Sequence, residues 1–250
     1  MVLLTGPTGS GKTTTLYAFL KELNQIQRKI LTIEDPIEYE MRGITQVQVQ
    51  PKVGLSFSRG LRSMLRHDPD VMMVGEVRDF ETAEVAIRVA LTGHLVFSTL
   101  HTNDAAGAVT RLLDIGVEPY LVASCINAII AQRLVRLVCP ECKVEARPRK
   151  EDLRALGARG PVPKLYRGAG CERCNGTGYR GRTAIYEIMP MEGPLRELVM
   201  RRSPAQELRD KAVSRGMVTL RQNGWKKAAQ GLTTLDEVLR ATRGVEEDDA

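Results

Sequence analysis

The chain has 250 residues, 43% of them hydrophobic and 11 aromatic, enough for one large core and a smaller appendage; only residues 246–250 read as disordered. No segment approaches the ~20 apolar residues of a membrane span: the longest, 117–131, is broken by Glu118, Pro119, Ser124 and Asn127, so membrane association is expected only through partners. The net charge of +6 is uneven, with 12 Lys and Arg against 14 Asp and Glu in residues 1–132 and 24 against 16 in the rest; the first half is no basic surface, and the second is either a meeting place for an acidic partner or a solvated face.

Met1 opens directly on an apolar strand, with no secretory leader, which suggests the rear part of a longer protein. The strand runs into Gly6-Pro-Thr-Gly-Ser-Gly-Lys-Thr13, a G-x-x-x-x-G-K-[ST] loop followed by a helical pattern at Leu16, Phe19, Leu20 and Leu23. Such a loop turns successive N–H groups inward, and the helix adds its positive end. Gly6, Thr8, Gly9, Ser10, Gly11, Lys12, Thr13 and Thr14 are therefore the candidate triphosphate cradle, with Lys12 on the β- and γ-phosphates of ATP and Thr13 on Mg²⁺.

Residues 29–33 form a second strand that delivers Glu34-Asp-Pro-Ile-Glu38 at its end. In a parallel sheet those carboxylates face the same crevice as the loop, ready to hold Mg²⁺ through water or to orient the attacking water, unless they are simply an Asp/Pro turn. The alternation in 44–50 predicts an edge strand or a hairpin arm with one wet face. Ser58 is the expected cap of a helix through Arg66, stopped by Asp68-Pro69-Asp70. Val71-Met-Met-Val74 is a short buried strand ending in Gly75-Glu76. With Gly75 where a first acid is usual, Glu76 is the candidate to polarise the attacking water. A helix over 81–91 and a strand over 95–99 follow, the strand bracketed by His94 and His101. Histidines at strand ends suit sensing of a γ-phosphate, although a lone histidine is more often structural.

These motifs together resemble the Walker A, Asp box, Walker B and His box of the type II secretion and type IV pilus assembly ATPases. The resemblance implies an α/β fold, a RecA-like P-loop core working as a homo-hexamer. Lys12 and Thr13 carry over to phosphate and Mg²⁺, Glu34 and Glu38 to the Asp box, Glu76 to Walker B, and His94 and His101 to the His box. It also implies a cytoplasmic ATPase at the inner membrane, pushing a platform protein there to assemble pilin or pseudopilin. Family members complete their sites with arginines from a preceding domain; Arg78 is the substitute this sequence offers.

Helices are expected over 105–115 and 120–135. Cys139-x-x-Cys142 and Cys171-x-x-Cys174 follow, 28 residues apart; two such pairs suit tetrahedral Zn²⁺, with redox or empty thiols as the alternative. Cys125 reads as a buried small hydrophobe. The Arg/Pro-rich stretch between the pairs should stand out as a zinc-tied excursion, and by the resemblance a tetracysteine subdomain belongs to extension and secretion members. Residues 183–188 alternate as a strand, and helices are expected over 195–202, 204–215, 220–230 and 235–243. The expected organisation is a RecA-like core (1–136), a tetracysteine zinc subdomain (137–182) and a C-terminal helical subdomain (183–250).

The leading expectation is thus Mg²⁺-dependent ATP hydrolysis coupled to assembly. The rivals are a nucleic-acid translocase or helicase on the same core, for which 11 aromatics leave few stacking platforms, and a non-enzymatic, nucleotide-gated zinc adaptor.

Overall fold

A computed structural model describes residues 1–147 and 164–243; most of the Arg/Pro-rich stretch and residues 246–250 lie outside these. Strands β1 (Val2–Thr5), β2 (Ile30–Glu34), β3 (Ile44–Gln48), β4 (Val71–Val74), β5 (Leu95–Leu100) and β6 (Ala128–Val138) are parallel, in the spatial order 3-2-4-5-1-6. A hairpin of β7 (Lys143–Ala146) and β8 (Leu165–Gly168) stands apart, and β9 (Tyr179–Pro190) returns antiparallel to β6 as the seventh strand of the main sheet. The helices are α1 (Lys12–Leu23), α2 (Phe57–Met64), α3 (Phe80–Leu91), α4 (Ala105–Asp114), α5 (Pro119–Cys125), α6 (Gly193–Met200), α7 (Ala205–Ser214), α8 (Leu220–Ala229) and α9 (Leu235–Thr242). None of the described helices is long and apolar enough to cross a membrane.

Strand alternation divides the core into two layers. Leu3, Ile33, Met72, Val96 and Ile129 face the layer of helices that includes α3, α4 and α5, while Leu4, Ile30, Met73 and Phe97 face Leu16, Tyr17 and Leu20 of α1. Of the helix expected over 120–135 only the first part forms: α5 ends at Cys125, and Ala128 opens an 11-residue strand. The first four residues of that strand, Ala128-Ile-Ile-Ala131, are apolar on both faces and so lack a strand's alternation. The backbone N–H of Asn127 donates to Met1 O (2.8 Å) and that of Met191 to Asn127 O (2.9 Å), seating the turn against β1 and β9.

Because β6 and β9 pair along almost their whole lengths, the boundaries expected at 136/137 and 182/183 fall inside paired strands. The cysteine-bearing part leaves and re-enters the sheet between them, and the final stretch begins as a sheet strand before turning helical. Helix starts follow local chemistry. Asp79 accepts from Thr82 N (2.8 Å) and Asp104 from Gly107 N (2.6 Å), while Thr219 and Gln222 form a capping box. At α2 the cap is Ser56, which accepts from Arg59 N, and not Ser58, which instead bonds the Ser56 hydroxyl (3.0 Å).

The last helix is tied to β6 by a buried carboxylate. Glu237 accepts from Arg136 N (2.9 Å), Arg136 Nη2 (2.8 Å) and Arg240 Nε and Nη2 (2.8 and 2.7 Å). Burial alone would raise this carboxyl, but the bonds from Arg240 and Arg136 outweigh it and hold it at about 2. A depressed carboxyl contributes stability above its unfolded value of ~4.3 and loses it as pH falls toward about 2. With both guanidiniums half exposed, about 2 kcal/mol is expected after screening. Urea unfolding from pH 6 to pH 3 should show Glu237→Gln losing less stability than the wild type over that window; parallel losses would mean that the network carries no charge-dependent stability.

Candidate functional site

Parallel strands present their carboxyl ends along one edge, and ligands collect there. Here β1, β5, β4 and β2 lie side by side, so the glycine loop, His101, Gly75-Glu76 and the Glu34–Glu38 turn open onto one cleft of about 580 Å³. Its walls include Thr8 to Thr14, Glu34, Asp35, Glu38, Tyr39, Glu76, Arg78 and His101.

The loop suits a phosphate. Gly9 and Gly11 hold φ of 78° and 86°, the left-handed region that a side chain resists. Helix α1 starts with no side-chain cap and no acid in its first turn, so its N–H groups face the cleft unopposed. The Ser10 hydroxyl is buried without a hydrogen-bond partner among the described residues. Lys12 donates to Gly6 O (2.6 Å) and Pro7 O (3.2 Å). Burial lowers its pKa, Glu76 counteracts this, and Arg133 adds to the lowering.

Glu76 is buried and pairs with Arg78 (2.5 Å) and His101 (3.4 Å). The strand end that carries it is fixed on β5, with Thr99 Oγ1 donating to Gly75 O (2.7 Å) and Val77 N to Thr99 O (2.9 Å). A Cβ at Gly75 would stand 3.4 Å from Glu34 Cα, Ile33 O and Phe57 Cε1, at the edge of ordinary contact.

Glu34 is 2% exposed and accepts from Tyr17 Oη, Thr32 Oγ1 (2.6 Å) and Gln46 Nε2 (3.1 Å). Burial, and then Glu34, raise the Tyr17 phenol above its ordinary value. Three donors fix the Glu34 carboxylate, while Asp35 and Glu38 are the exposed carboxylates of the cleft. His94 is not brought to it. It sits before β5 with Nδ1 against Thr92 Oγ1 (2.9 Å) and Val89 O (3.1 Å). The six-residue strand puts it ~20 Å from the edge where His101 lies, so within this chain the two histidines stand at opposite ends of β5.

A second cluster lies beyond β6. The sulfurs of Cys139, Cys142, Cys171 and Cys174 all lie within 4.8 Å of one another, with Cys139–Cys171 and Cys142–Cys174 at 3.9 Å and Cys171–Cys174 at 3.7 Å. Tetrahedral Zn–S bonds of about 2.3 Å put sulfurs ~3.8 Å apart, so the four thiols fit that ion. Backbone N–H groups already point at sulfur, from Gly170 to Cys142 (3.3 Å) and from Gly178 to Cys174 (3.2 Å). Burial raises Cys174, but the N–H groups of Cys171 and Gly178 and the neighbouring thiols bring it down to about 6.

The family model described as "Type II/IV secretion system protein" matches residues 1–240. The chain belongs to this family. Among its secretion-family relatives, the "Type II secretion system ATPase E" of Vibrio cholerae serotype O1 is 51% identical over 244 residues, 97% of this chain and 48% of that protein. The "Type IV pilus assembly ATPase PilB" of Thermus thermophilus is 52% identical over 243 residues, 96% of this chain and 27% of that one. The chain thus spans about half the length, or less, of these curated relatives. In structure it is similar to the pilus retraction motor PilT with bound ADP, with a TM-score of 0.72 and 33% identity over 98% of this chain and 62% of that one. The α/β fold with a mostly parallel sheet is therefore the one the secretion-family resemblance implies.

Sequence reasoning missed Tyr17 and Gln46, which hold Glu34, and Gln132, whose Nε2 donates to Ser10 O (2.7 Å) and whose Oε1 accepts from Thr15 Oγ1 (2.8 Å). Only Gln132, a polar residue following the apolar run 128–131, gave a local signal. Tyr17→Phe should lower the urea midpoint by the equivalent of about 1–2 kcal/mol, the cost of removing one donor from a buried carboxylate. An unchanged midpoint would show that the phenol bond contributes nothing.

Proposed function

We propose that this chain is the ATP-hydrolysing part of a hexameric motor that assembles a type IV pilus or a secretion pseudopilus. It works in the cytoplasm against an inner-membrane platform protein, and reaches the membrane through that partner alone. The carrying observation is the cleft where four strand-end motifs meet around a loop with an unpartnered buried Ser10 hydroxyl. Family membership and relatives named as secretion and pilus ATPases support the motor over a nucleic-acid translocase.

In this reading Gly6, Thr8, Gly9, Ser10, Gly11 and Thr14 frame the phosphates, Lys12 exchanges the Gly6 and Pro7 carbonyls for phosphate oxygens, and the Thr13 hydroxyl reaches Mg²⁺. The metal would supply charge neutralisation across the β- and γ-oxygens. Glu76 orients the attacking water, His101 registers the charge change at Glu76, and Glu38 acts from the rim. Glu34 positions the turn, and His94 acts outside this cleft. We assign three working parts, the ATPase core (1–136), the zinc-binding part (137–182) and a C-terminal part (183–250) that passes motion to its neighbours.

Phosphate release with Mg·ATP should rise per chain with protein concentration, vanish in Glu76→Gln by at least about 100-fold, and ignore single-stranded DNA. Strong stimulation by DNA would favour a translocase. Tight binding without turnover would mean that parts of the relatives outside this chain supply catalytic groups.

Cys139, Cys142, Cys171 and Cys174 are proposed to hold one Zn²⁺. Elemental analysis should give one zinc per chain, and Cys171→Ser should lose it and loosen the small core of Leu165, Ala228, Leu235 and Val238. A fully reduced, metal-free protein with an unchanged melting temperature would refute the zinc assignment.

A further inference from the structure

Resting on the nucleotide-site reading above, we propose that Gln132 is a positioning residue of the phosphate loop, its one side-chain amide setting the loop's orientation and with it the affinity for a nucleoside polyphosphate. Gln132 lies on β6 beside β1 and is 1% exposed. Its Nε2 donates to Ser10 O at 2.7 Å, inside the loop, and its Oε1 accepts from Thr15 Oγ1 at 2.8 Å, in the first turn of α1. The amide therefore bridges the loop to the start of the helix that follows it.

Two glycines of the loop are shaped around this residue. A Cβ on Gly6 would strike the Gln132 backbone carbonyl, and a Cβ on Gly11 would come within 2.9 Å of Gln132 Nε2. Glycine at both places is thus demanded by β6 as well as by the phosphate.

The orientation follows from the peptide plane. Across a trans peptide the C=O and the next N–H point in opposite directions. Holding the Ser10 carbonyl back toward β6 turns the Gly11 N–H to the other side, toward the cleft that Gly11 lines. The neutral amide donates to a carbonyl while accepting from a hydroxyl. An ionised carboxylate accepts only, a lysine or arginine donates only, and an aliphatic side chain leaves the Ser10 carbonyl unpaired.

The test is titration of wild type, Gln132→Glu and Thr15→Val with a fluorescent ATP analogue and Mg²⁺, from about pH 8 to about pH 5.5, with melting temperatures measured alongside. At the high end Gln132→Glu should bind about tenfold more weakly than wild type, because a buried bond is lost and a carboxylate faces a carbonyl. As pH falls the ratio to wild type should close, since the protonated carboxyl regains an O–H donor. Thr15→Val should bind about threefold more weakly with a pH-independent ratio.

A Gln132→Glu ratio that stays flat with pH, or a Thr15→Val chain that binds like wild type, overturns the proposal. If Gln132→Glu does not fold, Thr15→Val decides alone. Failure of the wild type itself to bind the analogue brings down the nucleotide-site reading and this proposal with it, whereas wild-type binding with indifferent variants overturns the role of Gln132 only.

Discussion

The position of β1, wedged in parallel between β5 and β6, is the constraint on which the site depends. Its residues pair with both neighbours over the whole strand, Val2 with Phe97 and Ala128 and Thr5 with Leu100 and Ala131. Hydrophobic burial holds such a strand in the sheet but is non-directional, so directional bonds must set where its end stops. Thr5 supplies them on one side, its hydroxyl 2.6 Å from that of Thr102 and accepting from Thr102 N at 2.9 Å. Gln132 supplies them on the other. The glycine loop is conformationally free in itself; it is the fixed end of β1 and the two flanking strands that make it a single shape.

The same edge connects the cleft to the C-terminal helices. The segment after β5 has His101 against Glu76 at one end and Asp104 at the other. Asp104 caps α4 and pairs with Arg209 of α7. Glu187, 1% exposed on β9, accepts from Ala105 N (3.0 Å) and from Leu220 N (3.3 Å), so one carboxylate serves the first residues of both α4 and α8. A carboxylate at a helix N-terminus is favourable; one shared between two helices also locks their relative position. Buried ion pairs add little net stability, and their contribution here is placement. Residues 101–104 thus connect Glu76 to α4 and α7 by direct contacts, and Glu187 extends the chain of contacts to α8.

What the sequence revealed and what it hid divide along the range of the interactions. The glycine loop, the strand-end acids and the cysteine pairs were legible because each is a local pattern with one dominant chemical use. The strand β6 was hidden because its opening run, Ala128-Ile-Ile-Ala131, is apolar on both faces although one face is only half-buried; without the alternation that marks a strand it matched a helix equally well. The partners of Glu34 were hidden for a different reason. Tyr17 and Gln46 are 17 and 12 residues away, and nothing in local spacing joins a tyrosine on one helix to a carboxylate at the end of the next strand. His94 and His101 bracket β5 as the sequence implies, and an extended strand places its two ends as far apart as the chain allows, so only His101 lines the cleft. Ser56 and Ser58 offered the same cap chemistry, and only backbone geometry distinguished them.

The charges of the cleft are of two kinds, and the division determines how a polyphosphate gains its binding energy. Lys12 and Glu76 rest on internal partners, the loop carbonyls for one and Arg78 with His101 for the other. Their contacts can be exchanged, and for Lys12 the trade of neutral carbonyls for anionic phosphate oxygens is a charge-assisted gain. Glu34 is held by three donors from three separate segments, too many for a ligand to displace. The Ser10 hydroxyl and the uncapped start of α1 have no side-chain partner among the described residues. In the proposed reading a polyphosphate therefore meets a loop and helix start that hold no protein partner to displace, while Lys12 would exchange its loop carbonyls for phosphate oxygens.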